Sequence, residues 1–356
     1  MLRQSAQRLL AAVNRRPADA TPVWFMRQAG RALPDYRVLR QRLSLLEMVK
    51  DPAVCSEVTL MPVDALGVDA AVLFADIMLP LEGMGVQFQI LEGVGPVVPD
   101  PIRSRPQVER LRRVDPLEAT PYLFTAIGEI RRRLGERAAL IGFGPSPFTL
   151  ACYVVEGRGS RDYPTVRALM RSDPTLWAQL MDRLTRILTD YLLAQAQAGA
   201  QLIQVFDSWA GVLDASSYRE LVSPHLRAMF AALTPVVPAI YFSTGSSHLL
   251  EEIRRVEPAG VSVDWRVPLG EAWARIGHDR FIQGNLDPAL LLASDAALEA
   301  GVSSVLAQAA GHPGHIFNLG HGVLPDTDWH RLRELVAMVH EATAPSGSER
   351  GEQGRG

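Results

Sequence analysis

The sequence predicts an α/β protein of one domain: a single closed (β/α)8 barrel of the TIM type, with a short hairpin inserted after the first strand. Three observations carry this. Short apolar runs alternate with longer amphipathic runs, the pattern of a parallel sheet with helices outside it. The runs at 70–74, 139–143, 202–206, 239–242, 261–264, 281–284 and 315–319 show no polar alternation, as strands covered on both faces should. No Gly-x-Gly-x-x-Gly follows the first of them, which weakens a dinucleotide-binding reading. Seven strands are placed in this way, and the eighth has no pattern of its own.

The remaining elements follow in order. Met1 to Arg16 carries several arginines and no acid. It reads as an amphipathic first helix with Leu9, Leu10 and Val13 inward, in preference to a removable leader. Asp51 suits the N-cap of a helix over Pro52–Leu66, which Pro62 is expected to kink. Segment 86–98 alternates apolar and polar residues around Glu92-Gly93 and reads as the inserted hairpin. A helix beginning near Pro147 carries Tyr153. Asp173 and Pro174 fit an N-cap and first turn, Gly199 closes that helix, and Leu180, Leu184, Ile187 and Tyr191 form its inner face. Thr327 is the expected cap of the last helix, whose inner face is Leu332, Leu335, Val336 and Val339. The domain is expected to span 1–343. Segment 344–356 has no apolar anchor and reads as a disordered tail.

Composition narrows the function. The chain has 356 residues, 47% of them hydrophobic and 21% charged, which describes a soluble globular protein able to bury a large core. A net charge of -3 argues against general nucleic-acid binding. Lys50 is the only lysine, a bias we attribute to base composition, so an anion site has to be a local concentration of arginine. The two cysteines, Cys55 and Cys152, form no CxxC pair or Cys/His cluster. That suits a reducing, cytoplasmic setting. No apolar run is long enough to span a bilayer, so no membrane partner is expected.

The richest segment is Trp24-Phe25-Met26-Arg27-Gln28-Ala29-Gly30-Arg31-Ala32-Leu33-Pro34-Asp35-Tyr36-Arg37. Two guanidinium forks flank a small Gln-Ala-Gly step, and such forks suit carboxylates. By spacing alone this is either a cradle for a polyanion or a surface turn with solvated arginines. Barrel active sites lie at the C-terminal ends of the strands. Asp76, Ser208, the triplet Ser243-Thr244-Gly245, and His321 each follow one of the apolar runs. Any one of them alone reads equally as a cap or turn residue, but several strand ends placing polar groups on one rim favours a site. Asp76 stands among Phe74, Ile77, Met78 and Leu79, where a carboxylate is costly without partners.

These strings resemble the uroporphyrinogen decarboxylase family. The arginine segment carries its N-terminal signature. Phe74-Ala75-Asp76-Ile77, Phe206-Asp207-Ser208-Trp209-Ala210-Gly211, Gln283-Gly284-Asn285-Leu286-Asp287-Pro288 and Phe317-Asn318-Leu319-Gly320-His321-Gly322 follow in the family's order. The resemblance runs from about Pro22 to about Val339. It implies conversion of uroporphyrinogen III to coproporphyrinogen III, with no cofactor and no metal, by a homodimer. It implies catalytic roles for Asp76, Arg27, Tyr153 and His321, with Asp76 facing the pyrrole N–H groups. It further implies substrate contacts from Arg27, Gln28, Ala29, Gly30, Arg31, Asp76, Tyr153, Phe206, Ser208 and His321. Two departures are present: Gly144-Pro145, which is expected to stiffen the loop before Tyr153, and the polar 243–245 loop. Two rival functions make different demands on the sequence. A corrinoid-dependent methyltransferase of the same fold would bind zinc through His-x-Cys and a later cysteine, and no His-x-Cys occurs here. A non-catalytic tetrapyrrole carrier would need the arginines but not the Asp76–His321 pair.

Overall fold

Seven parallel strands curl into the wall of a barrel in the computed structural model, which describes residues 5–345 apart from Arg31 and Glu92. They are β1 (Ala70–Val72), β4 (Ala139–Pro145), β5 (Leu202–Asp207), β6 (Ala239–Ser243), β7 (Gly260–Ser262), β8 (Phe281–Leu286) and β9 (His315–Leu319), paired in that order. Between the first two lies the hairpin of β2 (Gln89–Leu91) and β3 (Gly95–Val97), antiparallel as expected. Every residue of the seven strands is buried except Val72 and Phe206, which are half-buried. Both of these line the large cavity described below.

The eighth position of the wall belongs to the arginine signature itself. Val23 bridges Phe317 of β9 in parallel, with the Phe317 N–H donating to Pro22 O and the Trp24 N–H to Phe317 O. On its other side the Asp69 N–H, just before β1, donates to Val23 O. One bridge residue is too short to read as a strand, yet it joins the two edges of the sheet. Asp69 also accepts the Val23 N–H at 2.8 Å. Its carboxylate is fully buried and binds Arg8 at 2.7 Å and His340 Nε2 at 2.7 Å. Arg8 in turn chelates Asp19 through two bonds. This network pins the N-terminal helix (Ser5–Val13), the closing segment and the last helix together at the N-terminal face of the barrel.

The helices follow the sequence signals. Asp173 accepts the Leu176 N–H at the start of Pro174–Ala198, and Gly199 ends it. Asp51 caps Pro52–Leu66 through the Ala53 and Val54 N–H groups. That helix runs through Pro62 as one element. The last helix, Trp329–Thr343, is capped by Asp328 and not by Thr327: the Asp328 carboxylate accepts the His330 N–H. A charged acceptor next to the first helical residue suits the positive helix end better than a hydroxyl one residue earlier. Pro145 lies in β4, paired with Phe206, and the turn before the Tyr153 helix begins at Ser146. The expected stiffened loop is therefore a strand end. Of the expected tail, 346–356 lies outside the described residues.

His315 in β9 is buried, with Nε2 2.9 Å from Gly284 O, and burial pushes its pKa down to about 4. Above about pH 6.5 the ring is neutral folded or unfolded. Between about 6.5 and 4 only the unfolded chain takes up the proton, so stability falls as pH falls through that window. Thermal melts between pH 7.5 and 4.5 should show this decline, and a smaller slope in His315→Gln.

Candidate active site

A cavity of about 940 Å³ opens at the C-terminal ends of the barrel strands. That is near the upper end of small-molecule sites, so it suits a large ligand. Three sources line it: the arginine signature, the strand ends and the hairpin. Phe143, Phe206 and Phe242, from β4, β5 and β6, form an apolar wall of edge-to-face rings with centroids 5.4 and 5.7 Å apart. The hairpin contributes Phe88 to Leu91 and Gly93 to Gly95. Among the described lining residues, charge enters through Arg27, Arg40 and Asp76, and His321 adds a titratable ring.

Arg27 takes the left-handed backbone conformation, φ 61°, which is uncommon outside glycine. A Cβ on Gly30 would lie 2.6 Å from Arg27 O, and a Cβ on Gly322 2.6 Å from Arg27 Cδ. Both glycines make room for this arginine, one for its backbone and one for its side chain. We expect Gly322→Ala to displace the guanidinium and raise KM severalfold with little change in melting temperature. Steady-state kinetics on the folded variant checks this. Gln28 also lines the cavity, but its amide holds the barrel closed. Oε1 accepts the Phe25 N–H and Nε2 donates to Ala70 O. Ala29 and Gly30 line the cavity as well. Arg31 lies outside the described residues.

Asp76 accepts the Met78 N–H at 2.8 Å, so it caps its own turn while facing the cavity. Capping a turn and lining the cavity are thus combined in one side chain. Desolvation by the surrounding apolar residues raises its pKa above the usual carboxylate range, opposed by the Met78 N–H and by the charge of Arg27. His321 stands between the rings of Phe242 and Trp265, with centroids at 6.4 and 6.2 Å. Burial lowers its pKa, the cations Arg27 and Arg266 lower it further, and Asp264 opposes them. The imidazole is therefore neutral at physiological pH and offers one N–H and one lone pair.

Ser208 and Phe206 line the same cavity. Ser243, Thr244 and Gly245 do not: Thr244 Oγ1 donates to Ser208 O, and the Gly245 N–H donates to Asp264. They tie the rim loops to one another. Tyr153, expected to touch the substrate, is buried and is not among the lining residues; it packs against Tyr163 and Trp209. The sequence reading missed Arg40. It lies at the end of the helix Pro34–Arg40, one turn after Tyr36, and both residues line the cavity. The signal was present in Arg37 and Arg40 continuing the arginine signature past Pro34. Cys55 and Cys152 are buried free thiols away from the cavity lining. Among the described residues no group of three His, Cys, Asp or Glu is placed to hold a metal ion.

With this geometry in view, the comparisons with known proteins agree. The family model "Uroporphyrinogen decarboxylase (URO-D)" matches residues 4–342. Proteins named uroporphyrinogen decarboxylase are 47% identical in Sorangium cellulosum, covering 98% of this chain and 99% of that protein, and 47% identical in Thermus thermophilus, covering 94% and 98%. Among solved structures, a methyltransferase from Methanosarcina mazei superposes with a TM-score of 0.76 at 20% identity, covering 95% of this chain and 98% of that one. At that identity the likeness speaks for the fold alone.

Proposed function

The chain belongs to the uroporphyrinogen decarboxylase family, and from that premise we propose that its cavity carries out decarboxylation of the four acetate side chains of uroporphyrinogen III, giving coproporphyrinogen III. The observation that carries this reading is the opposition of one desolvated carboxylate, Asp76, to cationic groups lining the mouth of a macrocycle-sized cavity.

The substrate brings eight carboxylates and four pyrrole N–H groups. Arg27, Arg31 and Arg40 take carboxylates through bidentate forks and fix the macrocycle's orientation. Ala29 and Gly30 keep the floor of that cradle thin, and Ser208 and His321 bind further side-chain carboxylates or ring edges. Phe206 packs against the macrocycle. Asp76 accepts the pyrrole N–H groups. Loss of carbon dioxide needs an electron sink, and the protonated pyrrole supplies one. A proton added to a ring carbon makes the ring cationic, and the electron pair of the breaking C–C bond neutralises it. A second proton completes the methyl group, and the first leaves. The developing charge is positive, so a fixed anion lowers the barrier. A neutral His321 fits this, because an imidazolium beside the ring would oppose the cation. Arg27, which lines the cavity, then donates or relays the proton, while Tyr153 positions a carboxylate. Arginine is a weak acid in water, pKa above about 12, but a pyrrole activated in a closed site beside a departing carboxylate favours a short relay.

Three further features are part of this reading. The described elements share one hydrophobic core from Ala6 to Val339, which supports one domain over 1–343. No helix of the described residues is long and apolar enough to cross a membrane, and we place the enzyme in the cytoplasm. We also expect a homodimer with facing clefts, since Val38, Leu91 and Val94 are exposed apolar residues on the two elements that flank the cavity mouth. The test is anaerobic incubation of the purified protein with uroporphyrinogen III and chromatography of the oxidised products. Stepwise seven- to four-carboxylate porphyrins are expected. Tight binding without conversion contradicts the reading and leaves a carrier.

A further inference from the structure

Tyr153, on the helix Pro147–Glu156, packs into a cluster of three aromatic side chains. The rings of Tyr153, Tyr163 and Trp209 touch pairwise, with centroids 6.5 Å (Tyr153–Tyr163), 6.2 Å (Tyr153–Trp209) and 5.0 Å (Tyr163–Trp209) apart. Tyr163 is fully buried. Its hydroxyl and the Trp209 indole nitrogen are both buried and close no hydrogen bond. Two buried donors without partners, both on rings packed against Tyr153, are costly, so their position calls for a reason.

The backbone goes out of its way to place them. Tyr163 adopts φ 45°, a left-handed conformation that a bulky residue rarely takes, directly before Pro164. Thr165 Oγ1 and the Val166 N–H bind the carboxylate of Glu156, the last residue of the helix that carries Tyr153. Thr149, on the same helix, accepts the backbone N–H of Trp209 through its hydroxyl at 3.4 Å. All three aromatics are thus fastened to one helix, Pro147–Glu156.

We propose that Tyr163 and Trp209 are positioning residues for Tyr153: with substrate bound, their unpartnered donors close onto its phenol oxygen and so direct its own O–H toward Asp76 and the substrate. A phenol oxygen that accepts from two sides has one direction left for its proton. Burial and the nearby charge of Asp76 raise the pKa of the Tyr153 phenol, so it keeps a proton to direct. The inference rests on the reading that Tyr153 takes part in turnover. It adds a residue that the arginine signature and the strand-end rule do not reach, since Tyr163 lies in an irregular segment between two helices.

A double-mutant cycle tests it. Tyr163→Phe removes one oxygen and keeps the ring, and Trp209→Phe provides a second, independent removal of a donor. With kcat and KM read from anaerobic conversion of uroporphyrinogen III, we expect Tyr163→Phe to lower kcat about three- to tenfold, the size of one hydrogen bond. KM should stay within about twofold. In a Tyr153→Phe background the same substitution should cost nothing more, because its effect runs through the missing hydroxyl. Wild-type kcat in both Tyr163→Phe and Trp209→Phe overturns the inference. So does an equal loss in the Tyr153→Phe background, which is what a packing role alone produces. Full activity of Tyr153→Phe itself overturns the assignment of Tyr153 and the inference with it, a failure distinct from the other two.

Discussion

Asp76→Asn is expected to lower kcat by about 10²–10³ while leaving the fold and substrate affinity nearly intact. The size is that of removing one preorganised electrostatic group from a water-poor site. The substitution is unusually clean here. The turn at Asp76 depends on an oxygen accepting the Met78 N–H, and an asparagine carbonyl accepts it as well. What is lost is the charge. In the unliganded protein that charge is held at some cost, since burial raises the Asp76 pKa despite the Met78 N–H and Arg27. A cation forming on the macrocycle removes that cost in the transition state and not in the ground state, the condition for raising kcat. A pH signature follows. Wild-type activity should fall as pH drops through the raised Asp76 pKa, because protonation removes the stabilising anion. In Asp76→Asn this acid limb should vanish. Near-normal kcat in a folded variant would remove Asp76 from the role.

Asp69→Ala is expected to cost about 3 kcal/mol of stability, the lower end of the range for breaking a buried ion pair. The lower end applies because Arg8 keeps Asp19, at 2.6 Å, when Asp69 is gone. The loss is still large. Asp69 is fully buried, and its removal leaves the Val23 N–H, Arg8 and His340 without a shared acceptor. Val23 is the residue that joins the first and last barrel strands, so the cost falls on closure of the wall. Chemical denaturation should show a lower midpoint. Asp69→Asn, which still accepts the Val23 N–H, should lose less. Both variants should keep a near-normal kcat at temperatures where they are folded, since the network lies at the barrel face opposite the cavity. An Asp69→Ala protein as stable as the wild type would refute the closure role.

Most of the barrel was legible because seven of its strands are buried on both faces and leave uninterrupted apolar runs. The hairpin was legible for the opposite reason: half exposed, it alternates. The eighth strand was not, because Pro22 to Met26 pairs through a single bridge and its four apolar residues, Val23 to Met26, were absorbed into the arginine signature that follows them. The same segment turned out to close the wall and open the site, and Gln28 shows how. The resemblance implied a ligand contact for it, whereas its amide binds the backbone of Phe25 and Ala70. Spacing cannot tell a polar side chain facing the ligand from one replacing a strand's hydrogen bonds. The strand-end rule located Asp76, Ser208 and His321 correctly on one cavity. It failed for Ser243 to Gly245 because position after a strand does not fix which way a loop turns. Tyr153 and Arg40 lie on helices beyond the strand ends, where position relative to the strands carries no information about the cavity.

The most direct measurement is conversion of uroporphyrinogen III by the wild-type protein in deuterium oxide, with mass spectrometry of the coproporphyrinogen formed. If each acetate loses carbon dioxide into a protonated ring and its methylene then takes a proton from an exchangeable donor, every new methyl group carries one solvent deuteron, and the product carries four. Product methyl groups without deuterium, or a reaction that stops short of the tetracarboxylate, would contradict decarboxylation of the whole macrocycle in this one cavity.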